Sequence, residues 1–166
     1  MLCFEKGGCD KVLYDYLDTP IGRLTIYSSE DGIMRIDFPN DKHMKCDRGT
    51  NAFIDICKEQ LKLYFDGRLR EFKIKLDIKG TDFQKLVWRE LMRIPYGLYA
   101  TYGEIARRIG KPNASRAVGN ALNRNPIPII IPCHRVIGAD LTLKGFAGGL
   151  NVKEFLLRHE GIVFKT

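Results

Sequence analysis

The sequence predicts an α+β protein of two lobes, with a small β-sheet and a packed helix over residues 1–79 and a mostly helical lobe over 80–166. Three observations predict it. Apolar and polar residues alternate over 11–38 with the period of half-buried strands. From Gly80 onward the apolar spacing turns helical. Charge divides at the same place, with 14 Lys and Arg against 14 Asp and Glu in residues 1–80, and 13 against 6 in residues 81–166. The net charge of +7 therefore lies in the second half, and a basic half on a neutral half points to a localised anionic partner.

Each element follows from local chemistry. VLYDYLD, a TPIG turn, RLTIYSS, an EDG turn and IMRIDF make three strands, and Asp31-Gly32 between two β-rich runs is a hairpin signal. Phe53, Ile54, Cys57, Leu61 and Tyr64 recur at helical spacing, and Asp66-Gly67 closes that helix. EFKIKLDI at 71–78 alternates again and is expected as a further strand. Nothing in this half suggests chemistry.

In the second half, Thr81 and Gln84 fit a capping box for a helix with Phe83, Val87, Leu91 and Ile94 inward, stopped by Pro95. YGEIARRI at 102–109 and ASRAVGNAL at 114–122 are two short helices joined by a Gly-containing turn, the pattern of a helix-turn-helix. Apart from Arg116 the second of them carries small side chains, which permit close approach to a nucleic acid backbone or, equally, tight helix packing. NPIPIIIP at 125–132 excludes a helix and is expected to carry Cys133 into the interior as extended chain. A last helix is expected with Asn151 as cap, Glu154 at its third position, Val152, Phe155, Leu156 and His159 inward, and Gly161 at its end.

Composition excludes other classes. With 45% hydrophobic and 28% charged residues the chain is globular, and no run approaches the roughly 18–20 apolar residues of a membrane span. The N-terminal MLCFEKGGCD has acid and glycine where a signal peptide needs an apolar stretch. Five cysteines without paired spacing fit a reducing compartment, so a cytoplasmic protein is expected. Cys3, Cys9, His43 and Cys46 match no zinc spacing, and no metal or cofactor is expected.

Cys133 stands apart from the other cysteines because His134 and Arg135 follow it directly, and cationic neighbours favour a thiolate. Adjacent side chains diverge in a strand or helix, so His134 is expected to reach Cys133 through a water. A third group must then hold the imidazole. Glu160, in the last turn of a helix where a carboxylate is disfavoured, is the candidate, although on the residues alone a solvated terminal glutamate is the simpler account.

IPCHRVIG, preceded by TYGEIA, SRAVGNALNRNP and NPIPII and followed by FAGGLNVKEFLLRHEG, closely resembles the O6-alkylguanine-DNA alkyltransferases, also called methylated-DNA-protein-cysteine methyltransferases. The match is dense over roughly 82–162, and TPIGRLTIYSSEDGIMRIDF is similar to that family's N-terminal lobe. The resemblance implies a ribonuclease H-like first lobe and a winged helix-turn-helix in the second. It implies an irreversible, single-turnover transfer of an alkyl group from guanine O6, and less well from thymine O4, to Cys133, with the base flipped out of double-stranded DNA. It implies a relay of Cys133, water, His134 and Glu160, with Asn125 as hinge and Tyr102 donating toward guanine N3. Arg116 would fill the place of the extruded base, with Gly103, Ala117 and Gln84 also at the DNA, and Val136, Ala147 and Gly148 would line the base pocket. A monomer is expected.

Phe146-Ala147-Gly148-Gly149 departs from the Tyr-Ser-Gly-Gly of many relatives, so a side-chain hydroxyl is missing where the guanine O6 is read. Two other readings stay open on the residues alone, a lesion-binding protein that does not react and a Cys-His-Glu hydrolase.

Overall fold

A computed structural model describes residues 11–166. Its first half is a four-stranded sheet in the order β3-β2-β1-β4, built from β1 (Leu13–Thr19), β2 (Gly22–Ser28), β3 (Ile33–Asp37) and β4 (Asp47–Arg48). β1 and β2 pair antiparallel with Thr19 opposite Gly22, so Pro20-Ile21 is a two-residue turn, and Gly22 takes the positive φ of 102° that it needs. The β2-β3 hairpin follows, with a bulge between Tyr27 and Ser28. β4 is only two residues long, too short for any periodicity to announce it.

Leu24 and Ile26 of β2 are buried, and so are Thr25 and Tyr27 on the opposite face. One face packs on α1 (Ala52–Phe65), whose inward residues are Ile54, Cys57, Leu61 and Tyr64; Phe53 is only partly buried. The other is closed by His43, whose ring meets Tyr14, Tyr16 and Tyr27 edge-on. Asn51 caps α1 by accepting from Ile54 N.

The segment 71–78 is not a strand. It touches β3 at Ile33 alone, which donates to Lys75 O and accepts from Asp77 N, and then diverges. The reason lies further along the same edge, where Ile36 N donates to Pro126 O. Two different segments share the outer edge of β3 and cover it against strand addition.

The second half holds α2 (Asp82–Leu91), α3 (Tyr102–Arg108), α4 (Ser115–Asn123) and α5 (Leu150–His159), with a two-stranded parallel sheet of β5 (Ala100–Thr101) and β6 (Val136–Ile137). The capping box of Thr81 and Gln84 is formed. α2 ends at Leu91 and not at Ile94, because the chain tightens into i→i−3 bonds from Arg93 and Ile94 before Pro95. Trp88 lies at the junction of α2 and α4, 1% exposed, with Nε1 donating to Ala121 O. Among the described residues no helix is long and apolar enough to cross a membrane.

α5 departs from expectation at its start. Gly149, at φ 92°, precedes the helix, Asn151 lies inside it, and Glu154 pairs with Arg158 one turn on. Its inner face also carries Lys153 and Leu157, both buried.

Gly80 packs on the Trp88 ring, where an added Cβ would lie 2.6 Å from Cζ3 and 2.9 Å from Gln84 Oε1. The ring is pinned by its hydrogen bond and cannot retreat. Gly80→Ala is therefore expected to lower the unfolding free energy by about 1–3 kcal/mol, the usual cost of overpacking, as measured by urea denaturation.

Candidate active site

Cys133, His134 and Arg135 form one turn of 3-10 helix, and all three are buried. The stretch before them is a compact loop and not extended chain. Ile131 N donates to Ile127 O, Pro128 bridges Ile131, and Ile129 is held at φ 74°. Asn125 locks this loop, its amide donating to Ile131 O at 2.8 Å and its oxygen accepting from Ile127 N at 3.0 Å. A β-branched residue at positive φ is strained. Pro128 precedes it, Pro132 follows three residues on, and the Asn125 clamp closes the loop that contains it.

Glu160 is the hub of the site. It follows the last turn of α5 and is buried, yet its carboxylate accepts five hydrogen bonds. Oε1 takes His134 Nε2–H at 2.7 Å, Tyr64 OH at 2.7 Å and Arg135 at 3.0 Å. Oε2 takes Arg135 Nε at 2.8 Å and Gly97 N at 3.3 Å. Burial alone would raise the carboxyl's pKa. The hydrogen bonds from His134 and Arg135, with the charge of Arg135, outweigh it and hold the group well below the usual carboxylate range. Glu160 is thus a permanent anion beside a permanent cation.

This fixes the state of His134. A carboxylate oxygen can only accept, so Nε2 carries the proton. Burial pushes the imidazole pKa down and outweighs the pull of Glu160, so the ring is neutral. Its remaining lone pair is then on Nδ1, which is buried and has no partner among the described residues. Cys133 and His134 form no direct hydrogen bond, as their adjacency led us to expect.

The thiol differs from expectation. Arg135 does not serve it, because its guanidinium is taken up by Glu160 and by Ile94 O. Burial raises the Cys133 pKa, and the Asn125 side chain and the Lys153 ammonium only partly offset the rise. The resting group is a thiol.

Lys153 is the residue that sequence reasoning missed. It is 1% exposed, donates to Val136 O at 2.6 Å, lies 6.0 Å from the centre of the Tyr102 ring, and its pKa is pushed down by burial to about 8. A lysine on the inward stripe of an amphipathic helix was the available signal.

Cys133 lines a cavity of about 350 Å³ with Asn125, Phe146 and Ala147. Arg35, Asp37 and Phe38 of the first lobe form its other wall, so that half does carry part of the site. Phe38 meets Phe146 edge-on at 5.8 Å, and a Cβ on Gly148 would lie 2.8 Å from the Phe38 ring. Glycine is required there to keep the wall in place.

Tyr102 begins α3 and Arg116 is exposed on α4, and the two share a shallow concavity with Ser115, Asn120 and Lys144. Gly103 lies beside Ser115, and Ala117 is exposed on α4. Gln84 stands apart at the start of α2, where its oxygen accepts from Thr81 N. Of the residues weighed for zinc, Cys3 and Cys9 lie outside the described residues, and among the described residues no cluster of three His, Cys, Asp or Glu groups is formed.

Comparison with known proteins places the chain in a family. Residues 82–162 match the family model of the 6-O-methylguanine DNA methyltransferase DNA binding domain, and residues 12–78 match that of its ribonuclease-like domain. A methylated-DNA–protein-cysteine methyltransferase of Methanosarcina barkeri is 51% identical over 151 residues, covering 89% of this chain and 96% of the relative. One from Mycobacterium tuberculosis is 46% identical over 154 residues, covering 89% and 91%. The crystal structure of a Mycobacterium tuberculosis OGT in complex with DNA superposes with a TM-score of 0.84 at 44% identity, covering 89% of this chain and 92% of that one.

Proposed function

The chain belongs to the 6-O-methylguanine DNA methyltransferase family, and from that premise we infer that it repairs DNA by moving an alkyl group from guanine O6 onto its own Cys133. The observation that carries this reading is the geometry around His134, with Nε2 on the Glu160 carboxylate and a buried, unpartnered Nδ1, next to a buried Cys133 that lines a cavity.

The reaction balances within the site. A water bridging Sγ and Nδ1 passes the thiol proton to His134 as sulfur attacks the alkyl carbon, forming the S–C bond and breaking the bond from that carbon to O6. The hydrogen bond from Tyr102 to guanine N3 stabilises the electrons left on the base, and the proton taken up by His134 returns through water to that base, so guanine leaves neutral and the imidazole is restored. Glu160 steadies the imidazolium that forms without taking its proton, as the carboxylate of a triad does. The Lys153 ammonium favours the thiolate as it develops. Because a thiolate is a poor leaving group from the unactivated carbon of a thioether, nothing regenerates the thiol and the protein acts once.

The alkyl group lies inside the duplex, so the base must be flipped at a cost of a few kcal/mol. Arg116, exposed beside Tyr102, is assigned to fill the gap. Gly103 and Ala117 lie at the same face, Gln84 contacts the backbone from the start of α2, and Val136, Ala147 and Gly148 receive the base. The division into a first lobe of 1–79 and a DNA-binding, alkyl-accepting lobe of 80–166 belongs to this reading, as does action by a monomer on DNA bearing O6-alkylguanine.

The test is intact mass after incubation with a duplex carrying O6-methylguanine. One methyl should be gained per protein, on the peptide containing Cys133, and none by Cys133→Ala. Repeated turnover would point to a hydrolase, and tight lesion binding with no mass gain to a protein that only recognises damage.

A further inference from the structure

The two halves of the chain meet at the Glu160 carboxylate. Tyr64 is the last inward residue of α1, after Ile54, Cys57 and Leu61, and is 0% exposed. Its hydroxyl reaches across 96 residues of sequence to Glu160 Oε1, the same atom that accepts His134 Nε2–H. α5 holds the tyrosine from behind, since His159 Nε2 donates to Tyr64 O at 2.7 Å.

We propose that Tyr64 is a positioning residue for alkyl transfer, sharing Oε1 with His134 so that the carboxylate orients the imidazole without binding it tightly enough to protonate it. This deepens the reading above and rests on it. Oε1 is one oxygen with three donors. Each donor draws charge density from Oε1, and less remains for the others. An imidazole facing an unshared carboxylate gains proton affinity, because an adjacent anion favours the cation. A protonated His134 has no lone pair on Nδ1 and is no base. A tyrosine hydroxyl suits the task, since it donates without adding charge, and burial together with the nearby Glu160 raises its pKa and keeps it protonated.

The other groups facing this cluster are accounted for. Arg135 bonds both carboxylate oxygens, and the Gly97 backbone N–H completes Oε2. Tyr96 lies beside Tyr64 and under Arg135, with Arg70 over its ring. His159 meets the Tyr64 ring, and the Lys153 charge bears on both His134 and Cys133. Tyr64 is the donor that reaches Oε1 from the first lobe.

The test is an NMR titration of the His134 imidazole in free protein, unaltered and as Tyr64→Phe. The variant should raise the His134 pKa by about one, a tenfold gain in proton affinity. Single-turnover transfer from a methylated duplex should then lose rate on the acid side, with its acid limb moved to higher pH by the same amount. Lesion affinity, measured in a Cys133→Ala background, should be unchanged. A folded Tyr64→Phe whose His134 titrates as before would overturn the proposal, leaving Tyr64 only a packing role. If the variant does not fold, the unaltered protein decides, because the Tyr64 hydroxyl proton resonance should move in step with the His134 titration, and a fixed resonance overturns the proposal. A chain that gains no methyl sinks the alkyl-transfer reading but leaves the titration result standing, so the two failures are distinct.

Discussion

Glu160→Ala should lower the unfolding free energy by about 3–5 kcal/mol, the range for breaking a buried ion pair from one side. The whole side chain of Glu160 is inaccessible, and Arg135 is 7% exposed. Removing the carboxylate leaves the guanidinium with only Ile94 O, and leaves His134 Nε2–H and the Tyr64 hydroxyl without acceptors. Each orphaned donor keeps its desolvation cost and loses its compensation. Urea denaturation at neutral pH measures the loss. The pH dependence checks its origin. The folded-state pKa of Glu160 lies below the ordinary 4.5, so its contribution is complete above about that pH and is lost as pH falls through the depressed value. The gap between unaltered protein and Glu160→Ala should therefore narrow as acid is added below 4.5. A gap that stays constant would place the carboxylate's value in packing.

Elements with a local cause were legible in the sequence. The Pro20-Ile21 hairpin, the capped α1 and α2 and the α3-α4 pair each rest on a turn residue, a cap or a periodic stripe that lies within a few positions. The misses share a different cause. The alternation of 71–78 is that of a strand, but a strand needs a free edge, and Pro126 occupies part of the edge of β3. The Pro-rich stretch was expected as extended chain, yet Asn125 folds it into a loop through two bonds to residues that look featureless. Cys133, His134 and Glu160 were found through motif and resemblance. Their electrostatics were not, because Arg135 beside Cys133 in sequence belongs to Glu160 in space. Tyr64 reads as one residue of a helical stripe and Phe38 as the end of a strand, and only the meeting of the lobes gives the one a polar partner and the other a pocket to line.

Lys153→Met should leave the protein no less stable at pH 7 while slowing reaction at Cys133. Burial lowers the Lys153 pKa from 10.5 to about 8, and the difference corresponds to about 3 kcal/mol of destabilisation wherever the unfolded chain holds the proton. The penalty is complete below pH 8 and fades as pH rises toward 10.5, because there the unfolded state binds more protons than the folded one. Methionine fills a similar volume and removes that penalty. Against it stands the Val136 carbonyl, which loses the donor at 2.6 Å and costs about 1–3 kcal/mol when left unpaired. The stability difference should thus favour the variant near pH 7 and reverse at high pH. Chemistry moves the other way. Lys153 is the nearby cation that draws the thiol toward its anion, so without it Cys133 should label more slowly with iodoacetamide, read by mass spectrometry of its peptide over a pH series. A variant less stable at every pH and unchanged in labelling would make Lys153 a structural hydrogen-bond donor alone. Higher stability near pH 7 with slower alkylation would instead mark a charge kept in the core at the expense of stability, because the thiol needs it.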